Sequence, residues 1–320
     1  MTSASVTFAQ ELRLALWHVP LSRDGPGLLL RDLQKRDPEL AALAAALNNA
    51  DADVIVLTKF DYDAAGAALA AFVEMLGGGY DFTLPLRPNS GIATDFDADA
   101  DGRLGEPEDA QAYGRFPGQE GLAVLSRYPI HLEGVRSYNQ LLWSEIPGSH
   151  MSREDAGYGA QRLSSGGHWV VPVNVAENAE APRYLSLMIG HAGAPVFDGP
   201  EDRNGRRNFD ELRLWEQIMD GVHGPPLGAP LVFMANSNLD PDRGEGYRGA
   251  MGRFLSRPDL QDPLPRQPTA HWDDPGAMRV SYLLPSRDLT LRDARVWPVM
   301  PEQDHSLITV DIVVPDPPLP

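Results

Sequence analysis

Short apolar runs of β character alternate with helical patterns along this chain, and that alternation limits its fold more than any other feature. The runs lie at residues 12–17, 54–57, 122–125, 169–175, 184–189, 231–234, 280–284 and 307–313. Runs of this length suit buried strands, and helical spacing between them points to an α/β fold. Asp37-Pro38-Glu39 is a helix start, after which Leu40, Leu43 and Leu47 share one face until Asn48-Asn49. A second helix is predicted over 63–76, stopped by Gly77-Gly78-Gly79, and a third near Asn208, where Leu212, Trp215 and Met219 recur at helical spacing. Hydrophobic residues make up 42% of the 320, enough for a sizeable core, and no internal repeat or compositional break marks a linker. One domain over 11–315 is therefore expected, between a flexible N-terminus at 1–10 and a Pro-rich tail at 316–320.

The formal charge is −18, from 27 Lys and Arg against 45 Asp and Glu. A field of that sign repels nucleic-acid backbones and anionic membrane surfaces, so nucleic acid is not an expected partner and an anionic ligand needs a local basic pocket. With no cysteine, disulfides, thiolate metal sites and a cysteine nucleophile are excluded. The first ten residues lack a basic start and an apolar run, and no segment is apolar for the roughly 18 residues of a spanning helix. A soluble monomer is expected. Two stretches rich in Gly, Pro and polar residues, 85–118 and 137–167, exceed ordinary connections; they suit either the rim of a site or plain surface insertions.

Catalytic groups on α/β folds gather just beyond strand ends. Here those positions read Leu16-Trp17-His18, Leu57-Thr58-Lys59, Gly121-Leu122 through Pro129-Ile130, Ile189-Gly190-His191, Asn236-Ser237-Asn238-Leu239-Asp240, Arg279-Val280-Ser281 and Asp304-His305-Ser306. In this order the chain resembles the endonuclease/exonuclease/phosphatase superfamily, the group of deoxyribonuclease I, over nearly its whole length. The resemblance is nearest to a bacterial branch, through 21–27 after the first strand and 195–207 after the His191 strand. It implies a four-layer sandwich of two central, mostly antiparallel β-sheets flanked by helices, which agrees with the alternation.

The resemblance also implies a site. The family's phosphoester hydrolysis uses Mg²⁺ on carboxylates and an Asn, with two histidines near the phosphate. His191 and His305 match that pair, Asn238 matches the Asn, and Asp304 matches the metal-binding acid before the last His. Four positions depart from the pattern: His18 stands for Asn, Lys59 for the ligand Glu, Asn236 for the water-orienting Asp, and Ser281 for the Asp that holds the catalytic His. Mg²⁺ and Mn²⁺ thereby lose much of their ligand set, most of all at Lys59, where a unit charge about 4 Å from another repels it by roughly 4 kcal/mol at an effective dielectric near 20. Asp61 and Asp63, just past Lys59, offer a replacement carboxylate if the strand ends differently.

Two roles fit such a site. In one, a non-catalytic or weakly active protein binds a phosphate-containing or other anionic ligand, with Lys59 in the cation's place. In the other, an active phosphodiesterase or phosphatase acts on a small or lipid-like phosphoester, with Lys59 and Arg203 supplying charge and His305 acting as base. Arg203, Arg206 and Arg207 suit a phosphate clamp or a salt-bridged turn with Asp198, Glu201 and Asp202. His131, His150, His168, His223 and His271 have no metal-ligand spacing and are expected to be structural or exposed.

A separate motif spans residues 97–109. It follows the calcium loop of EF-hands: carboxylates at positions 1, 3 and 5 from Asp97, Asp99 and Asp101, Gly102 at 6, the Arg103 carbonyl at 7 and Glu108 at 12. A structural Ca²⁺ is the expected occupant, with a plain acidic loop as the alternative. Millimolar calcium outside the cytosol favours a periplasmic or secreted location.

Overall fold

The computed structural model describes residues 10–176 and 182–315. In chain order the elements are β1 (Gln10–Leu21), α1 (Leu28–Gln34), α2 (Pro38–Ala50), β2 (Val54–Phe60), α3 (Ala67–Met75), β3 (Phe82–Leu86), β4 (Gly121–Ser126), β5 (Arg136–Ser137), β6 (Gly167–Asn174) and β7 (Tyr184–His191). There follow α4 (Arg203–Met219), β8 (Leu231–Asn236), α5 (Arg248–Leu255), β9 (Ala270–His271), β10 (Ala277–Met278), β11 (Ser281–Pro285), β12 (Thr290–Val296) and β13 (Ile308–Val314).

Two sheets stack face to face, one ordered β12-β13-β1-β2-β4-β3 and the other β11-β8-β7-β6-β5. Each is antiparallel except for one parallel pair, β1 with β2 and β7 with β8. Period-2 alternation builds the layers. Along β1, Leu12, Leu14 and Leu16 enter the core between the sheets, where they meet Leu187, Ile189, Val232 and Met234. The intervening Ala15, Trp17 and Val19 turn outward and pack with Leu40, Leu43 and Leu47 of α2 and Phe72 of α3. Leu212, Trp215 and Phe254 of α4 and α5 cover the far side of the second sheet with Met188 and Phe233. The result is the expected helix–sheet–sheet–helix sandwich, and among the described residues no helix is long and apolar enough to cross a membrane.

Boundaries differ from expectation for identifiable reasons. Gln10 already pairs with Val314, so β1 starts inside the segment expected to be flexible; residues 1–9 and the 316–320 tail lie outside the described residues. The α3 helix begins at Ala67 and not at Asp63, because both Asp63 carboxylate oxygens accept N–H groups of its first turn, from Ala67 and Ala68 at 2.9 Å each. The α4 helix begins five residues before Asn208, and its first turn, Arg203 to Arg207, is polar and silent to apolar spacing. Helices α1 and α5 lack a side-chain cap, and strands β3 and β12 are sheet edges, where Pro85 and the polar alternation of β12 are tolerated.

The two long stretches are packed on each other and on α4. Asn89 Nδ2 donates to the carbonyls of Asn139 and Ser164 at 2.8 Å each, and Arg207 donates to the Leu163, Gln111 and Arg162 carbonyls.

Candidate functional site

If the inward alternation of each strand is carried one step past the apolar core, six polar side chains cap that core at one end. His18 follows Leu12, Leu14 and Leu16; Thr58 follows Val54 and Val56; His191 follows Leu187 and Ile189; Asn236 follows Val232 and Met234; Ser281 precedes Leu283; and Glu120 precedes Leu122 and Val124. The cluster therefore follows from strand register, at the C-terminal ends of β1, β2, β7 and β8.

Three imidazoles meet there. The His18 ring centroid lies 4.8 Å from that of His191 and 4.3 Å from that of His305. Thr58 Oγ1 shares a 2.9 Å hydrogen bond with His18 Nδ1, and Trp272 stands edge-on to His305 at 5.2 Å. Burial disfavours the charged form of each ring, and the neighbouring cations add to it. Desolvation pulls His191 down to about 4, with Lys59 adding to the shift and Glu120 opposing it. Desolvation, then Lys59 and His191, pull His305 down to about 3. His18 is lowered well below its ordinary value, first by burial and then by His305, His191 and Lys59. At neutral pH all three rings are uncharged, and the buried Nδ1 atoms of His191 and His305 have no hydrogen-bond partner.

Lys59 reaches this cluster through a break in the strand. Strict alternation would send it to the helix face with Ile55 and Leu57, but the register of β2 shifts between Thr58 and Phe60. Lys59 takes φ 68° in that bulge, a left-handed conformation that non-glycine residues seldom adopt. Its Nζ lies 3.3 Å from Glu120 Oε1, and each side chain is 36% exposed. Glu120, at φ 54°, stands outside the strand-end pattern, and only its spacing from Leu122 and Val124 signals that it faces the cluster.

The remaining strand-end residues form a closed polar chain. Ser281 Oγ donates to Asn236 Oδ1 at 3.1 Å, Asn236 Nδ2 to Asn238 Oδ1 at 2.9 Å, and Asn238 Nδ2 to the Ala192 carbonyl at 2.8 Å. Ser281 thus orients an asparagine and not a histidine. Asp304 is exposed, and its carbonyl accepts the His271 N–H at 2.8 Å.

Three groups of residues singled out from the sequence lie elsewhere than the strand-end cluster. Asp61 and Asp63 supply no carboxylate to the cluster: Asp61 accepts the Arg23 and Glu120 N–H groups at 2.8 and 3.1 Å, and Asp63 serves α3. Arg203 is spent on a loop, with Nη2 donating to the Ala156 carbonyl at 3.0 Å and Gln161 Oε1 at 2.5 Å. Its neighbour Arg206 pairs with the Asp155 carboxylate at 2.7 Å and donates to the Glu201 carbonyl at 3.2 Å, while Arg207 binds carbonyls. In the acidic loop, Asp97 and Asp99 converge with Asp109, their ligand oxygens within 4.8 Å of one another, and Glu108 stays exposed. A 3₁₀ turn at Pro107–Asp109 with a capping box turns Asp109 inward, where it accepts the Ala98 and Gly105 N–H groups at 2.7 and 2.9 Å. Asp101 bonds the Arg103 N–H at 2.8 Å.

Comparison with known proteins agrees with this architecture. The chain aligns over 95% of its length with 72% of an endonuclease/exonuclease/phosphatase from Beutenbergia cavernae, at TM-score 0.60 and 16% identity. A Staphylococcus aureus beta toxin mutant with bound magnesium ions matches at TM-score 0.56 and 12% identity, over 94% of this chain and 99% of that one. A mannosyl-6-phosphatase from Bacteroides thetaiotaomicron matches at TM-score 0.51 and 12% identity, over 94% and 99%. At these identities the likeness establishes the fold. No curated protein matches the sequence. The model of the Endonuclease/Exonuclease/phosphatase family matches residues 23–305, and the chain belongs to that family.

Proposed function

We propose that the strand-end cluster binds a phosphate-containing or other anionic small ligand without turning it over. The observation that carries this is Lys59, bulged out of β2 so that its ammonium acts on three neutral imidazoles while its counter-ion is Glu120. A ligand anion would replace Glu120 as the partner of Lys59 and accept N–H groups from the uncharged rings. Mg²⁺ does not fit this set of residues. It demands near-octahedral oxygen ligands, whereas the cluster's one carboxylate, Glu120, is paired with the Lys59 ammonium, and the rest of the cluster is imidazole nitrogens, hydroxyls and amides already hydrogen-bonded to their neighbours.

The competing role, hydrolysis of a small or lipid-like phosphoester, draws on family membership and on the retained His191 and His305. One experiment separates them. Bis-nitrophenyl phosphate should not be hydrolysed with Mg²⁺ or Mn²⁺, while inorganic phosphate should raise the melting temperature and Lys59→Ala should remove that shift. Metal-dependent turnover that collapses in His305→Ala would favour the hydrolase.

The acidic loop is proposed as a structural Ca²⁺ site held by Asp97, Asp99 and Asp109, which pins the 85–118 stretch. Hard carboxylate oxygens on three sides fit such a cation. The proposed setting is a monomer outside the cytosol, where calcium is abundant.

A further inference from the structure

The two chain segments that wall in His191 are tied to a single buried carboxylate. Gly166 donates its N–H to the His191 carbonyl at 2.9 Å and packs so closely that a Cβ there would lie 2.6 Å from His191 Cβ and 2.7 Å from Nδ1. Glu211 of α4, fully buried, accepts the N–H of Ser165, the residue before Gly166, on Oε1 at 2.5 Å. Its other oxygen accepts the N–H of Gly193, two residues past His191, at 2.7 Å. The Glu211 carbonyl adds a third tie by accepting from His168 Nε2 at 2.8 Å, while His168 Nδ1 meets Ser164 Oγ at 2.7 Å. His191 itself has no side-chain acceptor on its buried Nδ1, so its surroundings position it.

We infer that Glu211 is a positioning residue: ionised, it fixes Ser165 and Gly193 on either side of His191, and protonation loosens that clamp. Both oxygens of a carboxylate accept, whereas a protonated carboxyl turns one of them into a donor facing an N–H. Burial pushes the Glu211 carboxyl up to about 7, against the opposing pull of Arg207 and the Ser165 and Gly193 N–H groups. The charged or titratable groups around it are Arg207 on α4, His168 on β6 and His191 on β7. Burial lowers Arg207 only to about 10 and holds both histidines near 4, so none of the three changes charge between pH 6 and 8. The consequence for ligand binding rests on the anion-site proposal; the effect on His191 does not.

Histidine Cε1–H resonances and the Ser165 and Gly193 amides would be followed by NMR from pH 5.5 to 9, with sulfate, which does not titrate there, as the anion probe. The His191 resonance should inflect near neutrality together with both amides, and sulfate affinity should fall several-fold on the acid side. In Glu211→Gln the inflection should vanish and affinity should stay low and flat, while Glu211→Asp should restore part of the wild-type profile. A wild-type His191 and both amides that pass through pH 7 without inflection would overturn the inference, and this needs no variant to fold. Inflection without sulfate binding at any pH would leave the clamp standing and defeat the anion site.

Discussion

The proposed role turns on Lys59, which a left-handed backbone places where alternation would not. Its identity is plain from sequence, but its direction depends on a bulge that no local pattern announces. Glu120 is the competing anion on the same ammonium, so Glu120→Gln should tighten phosphate binding by up to about fivefold, the roughly 1 kcal/mol ceiling of an exposed ion pair, measured by calorimetry. Lys59→Ala should also raise the His305 pKa, by NMR titration. Since desolvation is the larger cause of its fall to about 3, the recovered value should remain below the ordinary 6.5. An unchanged His305 would place the ammonium too far away to matter.

Elements with strong local signals were legible. The capped α2 and the apolar runs of β1, β2, β4, β7 and β8 fall where expected, and the same alternation that marks their core faces leads to His18, His191 and Asn236. Edge strands β3, β5 and β12 and the short helices α1 and α5 were not legible, because their partners are distant in sequence, whereas the apolar run at 280–284 marks the edge strand β11. Nor was the turn that exchanges Glu108 for Asp109, which depends on a capping box closing over Pro107. Asp63→Ala removes the acceptor of two first-turn N–H groups of α3 and should cost about 1 kcal/mol in denaturant unfolding. If Asp97, Asp99 and Asp109 hold calcium, saturating Ca²⁺ at about 100 Kd should add about 2.7 kcal/mol of stability, and Asp109→Asn should abolish most of it.

For the whole molecule, buried neutral histidines make acid the dangerous direction. His168, His191 and His305 have folded pKa values of about 4, 4 and 3, below the ordinary 6.5, so their stabilising contribution is present above pH 6.5 and is lost as pH falls towards 4. Glu211 works the other way: its value, raised from 4.5 to about 7, gives stability at low pH that is lost as pH rises through 7. Three shifts outweigh one, and chemical denaturation should show a net loss of a few kcal/mol between pH 7 and 5. The −18 charge spread over this sandwich repels a nucleic-acid strand, so the proposed ligand is a small anion that reaches Lys59 in place of Glu120. In the proposed role this ammonium has taken a divalent ion's place, and an anomalous difference map from crystals soaked in Mn²⁺ and phosphate distinguishes the two. Phosphate against Lys59, His191 and His305 with no manganese peak beside Asn238 and Asp304 is the predicted result; a manganese peak there would contradict it.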